Sequence, residues 1–218
     1  GSRPLYSGGG PPPVLSAGCW QGHKWTSEQL HLNIDESLRN LKTDQVDILQ
    51  MHNPTPADVE HNGLIEALQD IRASGKTRFI GVSSSSPDLI AFADMQVFDV
   101  FQIPYSALER RHENMITYAA GQGAGIIIRG GIAQGHNNKD TTTNTRNNAL
   151  EDVTGSMDRH EFVLRFTLTH PSCHTTIVGT GKLEHLYKNI QSAFDGALPT
   201  DLYETAKRHL TSAGEKPE

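Results

Sequence analysis

Short apolar runs recur along this chain from about Pro13 to its C-terminus, each ending in small or polar residues and each followed by an amphipathic stretch. The runs end as VLSAGC, VDILQMHNP, TRFIGVSSSS, VFDVFQIPYS, AGIIIRGG and HTTIVGTGK. Apolar runs of strand length alternating with helical stretches imply a parallel sheet covered by helices, because parallel strands need a long crossover between them. The fold class expected is therefore α/β, a parallel (β/α) barrel of TIM type. Such barrels carry their chemistry at the C-terminal strand ends. About six strands are visible in the sequence, where a closed barrel has eight. The barrel is thus expected to be incomplete, with its open edges covered by rearrangement or by a second copy. An open doubly wound sheet is the alternative. No G-x-G-x-x-G follows a strand here, which weakens that alternative.

The helices follow from apolar spacing. Thr26 and Gln29 stand at capping-box spacing, and Leu30, Ile34, Leu38 and Leu41 recur on one helical face. The run Val46–Met51 reads as a buried parallel strand and stops at His52-Asn53-Pro54. Leu64, Leu68 and Ile71 mark the next helix, with Gly75 as its C-terminal cap. After strand 77–82, Ser86-Pro87-Asp88 predicts a helix start with Ser86 as cap. Strand 98–103, helix 110–122, strand 124–128, helix 158–170, strand 175–178, helix 181–193 and a final helix at 200–210 complete the reading. The polar stretch 130–156 is a long loop of the kind that is functional or disordered. GGGPPP ends a flexible head over residues 1–13, and one domain fills 14–218.

Bulk properties exclude several classes. A net charge of -6 and a pI near 6.0 leave no basic stripe for nucleic acid. The mean hydropathy is -0.47, and no run approaches a membrane span. Cys19 and Cys173 lie far apart in apolar runs and read as two buried free thiols of a reducing, cytoplasmic compartment. No pair among the 11 histidines has a metal-ligand spacing, so no metal is expected.

The stretches SLRNLKTDQVDILQMHNP, GLIEALQDIRASGKTRFIGVSSSS, FDVFQIPYSALERRHENMITYAAGQGAGIIIRGGIAQG and FVLRFTLTHPSCHTTIVGTGKLEHLYKNIQSA resemble the aldo-keto reductases, in that family's order, from about Val14 to Ala193. The resemblance implies NADP(H) bound at the strand ends and reduction of a small-molecule carbonyl to an alcohol. It also implies four catalytic residues: Asp, Tyr, Lys and His. His52 matches the His, and Gly18 takes the place of the Lys. No stretch matches those that carry the Asp and Tyr; Tyr6 lies outside any such motif, and Lys24 could reach in only from a loop. Activity is accordingly expected to be weak or lost, and a non-catalytic, self-associating or partner-binding role is the alternative.

The same resemblance supplies the coenzyme residues. Ser83 keeps the family Ser that meets the nicotinamide carboxamide, Ser84 replaces its Asn, and Gln102 matches its Gln. Arg129-Gly130-Gly131 replaces Tyr-Ser-Pro, removing an aromatic surface while offering a cation and backbone N–H groups to phosphate. Gly179-Thr180-Gly181-Lys182 opens the helix that holds the 2′-phosphate and adenine. His185 stands where the family often has Arg, and Asn189 matches the adenine-contacting Asn. Ordinary roles compete at each position: a strand-end histidine, a serine-rich turn, a glycine turn between strand and helix.

Overall fold

The computed structural model describes residues 25–132, 148–151 and 153–218. The elements run α1 (Ser27–Leu41), β1 (Val46–His52), α2 (Pro56–His61), α3 (Leu64–Ala73), β2 (Thr77–Ser83), α4 (Leu89–Asp94), β3 (Val100–Pro104), α5 (Glu113–Gly121), β4 (Gly125–Arg129), α6 (Arg159–Thr169), β5 (Thr175–Ile177), α7 (Leu183–Phe194) and α8 (Thr200–Ser212). Among the described residues the strands form one parallel sheet of five in sequence order, with β1 and β5 at its open ends. Among the described residues the barrel is not closed, as the strand count implied. The run VLSAGC, the head, Gly18, Cys19 and Lys24 lie outside the described residues.

Alternation across the sheet decides which residues reach the core. Met51, Ile80, Val82, Phe101, Ile103, Ile126 and Ile128 share one face and are all buried against the helices. The opposite face carries Ile48, Phe79 and Ile177, which stay 38%, 42% and 51% exposed. β1 is therefore less buried than its apolar sequence implied; of its seven residues only Met51 is fully buried.

Local sequence explains most helix ends, with three departures. The Thr26 hydroxyl accepts from the Gln29 N–H at 3.2 Å, but the Gln29 amide turns to Asn33, so only half of the capping box forms. A complete box sits at α2, where Thr55 and Asp58 exchange bonds of 3.0 and 3.1 Å and Pro56 opens the helix. Leu30, Ile34 and Leu38 are buried, whereas Leu41 is exposed at the helix end. Ser86 does not cap a helix: 86–88 form a turn with a cis Ser86–Pro87 peptide, and α4 begins only at Leu89. Gly75, at φ +80, follows α3 as foreseen and donates to the Arg72 carbonyl. Asp158 caps α6 by accepting from the His160 and Glu161 N–H groups. Cys173 is free and half-buried, and burial pushes its thiol up to about 11.

A buried histidine ties two strand-end loops together. The Ser86 N–H donates to His112 Nε2 at 3.0 Å, which leaves Nδ1 to donate to the Pro104 carbonyl at 3.1 Å. Burial, aided by the Arg111 charge, pushes His112 down to about 4. The ring is thus neutral when folded, and the stability it contributes is present above its unfolded pKa near 6.5 and lost as pH falls towards 4. His170 is shifted in the same direction, chiefly by burial. Urea unfolding should therefore show a loss of about 1 kcal/mol from this ring between pH 7.5 and 5.5, before the carboxylates titrate. His112→Gln should flatten that slope; an unchanged slope in the variant would rule the ring out as its source.

Candidate active site

The polar strand-end residues fall into one row by register. His52 on β1 pairs with Ser83 on β2, and Ser83 pairs with Gln102 on β3. Gln102 then pairs with Ile127, and Ile127 with Thr175. One layer higher, Pro104 pairs with Arg129 and Arg129 with Ile177. Because registered partners share a face, His52, Ser83, Gln102 and Arg129 all stand on the face opposite the helices. The ladder continues past β2, with the Asn53 N–H donating to the Ser83 carbonyl at 2.8 Å and the Ser84 N–H to the Gln102 carbonyl at 3.3 Å.

Among the described residues three buried polar atoms on this face lack a hydrogen-bond partner: Ser83 Oγ, Arg129 Nε and Gln50 Nε2. Buried polar groups are nearly always paired, so each marks a place where a bound group would be satisfied. Gln50 was not singled out from the sequence, although its position two residues before His52 places it on the same face. Gly81 leaves the room for its side chain, since a Cβ there would stand 3.2 Å from Gln50 Cγ.

At the end of β4 the two glycines have different roles. Gly130 takes a left-handed φ of +72, which turns the chain off the strand. Gly131 is needed for space: a Cβ would overlap the Thr176 hydroxyl, and its carbonyl accepts from the Thr167 hydroxyl at 2.8 Å. Beyond this turn a cleft of about 800 Å3 opens. Gly130, Gly179, Thr180, His185 and Asn189 line it, so these five sequence-designated positions do come together. The cleft is also lined by Asp158, His160 and Glu161 at the start of α6, by Lys188 and Ser192 of α7 and by Asp195 just past its end. Arg129, Gly131, Gly181 and Lys182 are not among the lining residues. Positions 179 and 181 have open space where a Cβ would stand, and Thr180 Oγ1 accepts from the Lys182 N–H at 3.1 Å, fixing the entry to α7.

Unpaired polar groups along the strand ends and a glycine-lined cleft at a helix start are places where an extended bound group would find hydrogen-bond partners and room. Among the described residues no group of three or more His, Cys, Asp or Glu could hold a metal ion. No helix among them is long and apolar enough to cross a membrane.

A parallel β/α sheet with its polar groups gathered at the C-terminal strand ends defines a barrel-type enzyme scaffold. Residues 17–210 match the aldo/keto reductase family, and the chain belongs to that family. It is 26% identical over 196 residues to the uncharacterized oxidoreductase YqkF of Bacillus subtilis, which covers 79% of this chain and 63% of that protein. It is 30% identical over 128 residues to L-galactose dehydrogenase of Arabidopsis thaliana, which covers 53% of this chain and 39% of that one. The chain thus spans about 60% of the length of relatives such as YqkF and the B. subtilis oxidoreductase YcsN. Among solved structures, the holo form of aldo-keto reductase AKR11C1 from Bacillus halodurans superposes with a TM-score of 0.78 at 22% identity, covering 88% of this chain and 69% of that one. An aldo/keto reductase from Klebsiella pneumoniae in complex with NADP and acetate gives a TM-score of 0.65 at 21% identity, over 84% of this chain and 66% of that one.

Proposed function

We propose that this chain is a reductase domain that binds NADP(H) across its strand ends and acts on a small-molecule carbonyl. The observation that carries the reading is Ser83: a buried hydroxyl without a partner, in register with His52 on one side and Gln102 on the other. In this reading Ser83 and Gln102 orient the carboxamide of the nicotinamide, with Ser84 adding backbone support. Arg129 and the Gly130 turn face the pyrophosphate, while Thr180, His185 and Asn189 receive the adenosine end. The coenzyme, when bound, is the source of hydride. His52 holds the carbonyl oxygen by hydrogen bond at the end of β1. With Gly18 at the family's Lys position and no match to its Asp and Tyr motifs, turnover by these 218 residues is proposed to be weak or absent.

Titration with NADPH tests the coenzyme claim. Binding at micromolar concentration is expected, and Ser83→Ala should weaken it about fivefold, the effect of one hydrogen bond. No binding at millimolar NADPH would sink it. Aldehyde-dependent NADPH oxidation at the rate of an ordinary reductase would overturn the proposal of weak turnover.

A second reading, self-association without catalysis, is favoured by α7. Leu183, Leu186, Tyr187, Ile190 and Phe194 recur at helical spacing yet remain exposed, Phe194 by 83%. Large exposed apolar stripes mark interaction surfaces. A second copy of this chain is the occupant the charges favour: antiparallel pairing of two such helices sets Lys182 of each against Asp195 of the other. Sedimentation should then report a dimer that Tyr187→Glu converts to monomer. A monomeric parent chain would end this reading.

A further inference from the structure

The walls of the glycine-lined cleft carry a charge pattern with a consequence for coenzyme choice. Resting on the reading that this cleft receives the adenosine end of a nicotinamide dinucleotide, we infer that it discriminates poorly between a ribose bearing a 2′-phosphate and one with a free diol, so that NADH and NADPH bind with similar affinity. Three carboxylates line the cleft, those of Asp158, Glu161 and Asp195, against one ammonium, that of Lys188. Lys188 is already paired with Glu184 at 3.0 Å, and Asp158 adds to the field that holds its proton. The nearby Arg165 is committed as well. Its Nη1 pairs with Glu161 at 3.0 Å, and Nε and Nη2 donate to the carbonyls of Gly196 and Ala197 at 2.9 and 3.2 Å. His185 is exposed and contributes no planar guanidinium fork, the group best shaped to grip a phosphate.

A 2′-phosphate entering this cleft would meet two exposed carboxylates, Asp158 and Asp195, and would compete with Glu184 for the one lysine. Exposed ion pairs change an equilibrium by no more than about fivefold, so Lys188 cannot by itself create strong selectivity. Carboxylates instead accept hydrogen bonds from ribose hydroxyls, the interaction by which acidic residues select a diol. Asp158 Oδ1 already accepts from the His160 and Glu161 N–H groups and Asp195 Oδ1 from the Gln191 amide, so the second oxygen of each is what a ribose diol would meet. The carboxylate charges meanwhile offset the attraction of Lys188 for a phosphate.

The test is a pair of fluorescence titrations of the whole chain, with NADPH and with NADH, at one fixed ionic strength. The two dissociation constants should lie within about tenfold of each other. His185→Arg should move the ratio towards NADPH by up to about fivefold, and Asp158→Asn with Asp195→Asn should move it the same way. Asn retains the capping function at position 158, and a circular-dichroism melt checks that each variant is folded. A preference for NADPH above tenfold in the parent chain overturns the inference. So does a ratio that neither set of variants moves. Failure of both coenzymes to bind at millimolar concentration sinks the coenzyme reading itself, and this inference with it.

Discussion

Arg110→Met is expected to cost about 3–5 kcal/mol of folding stability, read as a lower urea midpoint. The Arg110 side chain is 2% exposed and its charge is met entirely by the fold. Its Nε donates to Glu113 at 2.7 Å, and Nη1 reaches the carbonyls of Lys207 and Glu215 and the Thr211 hydroxyl at 3.0 to 3.1 Å. Glu113 is shared with Lys207 at 2.8 Å, and the Glu215 carboxylate accepts from the Arg110 backbone N–H. Methionine fills similar volume but leaves Glu113 with Lys207 alone and takes the side-chain donor from the Lys207 and Glu215 carbonyls and the Thr211 hydroxyl, and breaking a buried charge network is expensive. Lys207→Met should cost less, because Lys207 is 26% exposed and its loss leaves Glu113 still paired with Arg110. A loss below about 1 kcal/mol for Arg110→Met would show that the network does not bear on stability.

Gly81→Val should cost about 3 kcal/mol and abolish the proposed coenzyme binding with it. The reason is space, not backbone freedom, since this glycine is not in the left-handed region. A Cβ at position 81 would stand 2.6 Å from the Val100 carbonyl oxygen and 3.2 Å from both Val100 Cβ and Gln50 Cγ. Backbone cannot move aside as a flexible side chain can, so β2 must separate from β3. Ser83 lies two residues further along β2 and pairs with Gln102 across that same boundary, so the separation reaches the strand-end row. Gly121→Ala is the control: nothing lies within 4 Å of its added Cβ, and it should leave both stability and binding unchanged. A Gly81→Val chain with parental stability would mean that the strands tolerate the extra volume.

The sequence carried the strand and helix order because apolar periodicity is local, and the row of His52, Ser83 and Gln102 because strand ends announce themselves in small and polar residues. The Gly179–Asn189 segment was legible locally as a turn between strand and helix, and its binding role came only from the resemblance to the family. Other features were hidden by distance along the chain. Arg110 meets its partners near positions 207 to 215, and nothing in either stretch signals the other. His112 is fixed by Ser86, which the local pattern assigned to a helix cap; the turn and the histidine together outweighed that preference. The complete capping box at Thr55 and Asp58 departs from the usual pattern, because aspartate and not glutamate or glutamine closes it at the third position. Exposure of the α7 stripe could not be foreseen, because its spacing is that of any helix packed on a core.

The C-terminal segment has an effect far from its own position. Glu215 meets Arg110, the Glu218 N–H donates to the Arg111 carbonyl and the Glu218 carbonyl accepts from Asn114, while His112 in between grips Ser86 and Pro104. The loops that follow β2 and β3 are thus braced from behind by the last residues of the chain. Ser83 and Gln102 stand at the start of those braced loops, so under the proposed coenzyme reading the entropy of ordering them would be met during folding and not again at each binding event. Removing 213–218 would touch no ligand-facing atom, yet hydrogen exchange at Ser84 and Ser86 should quicken.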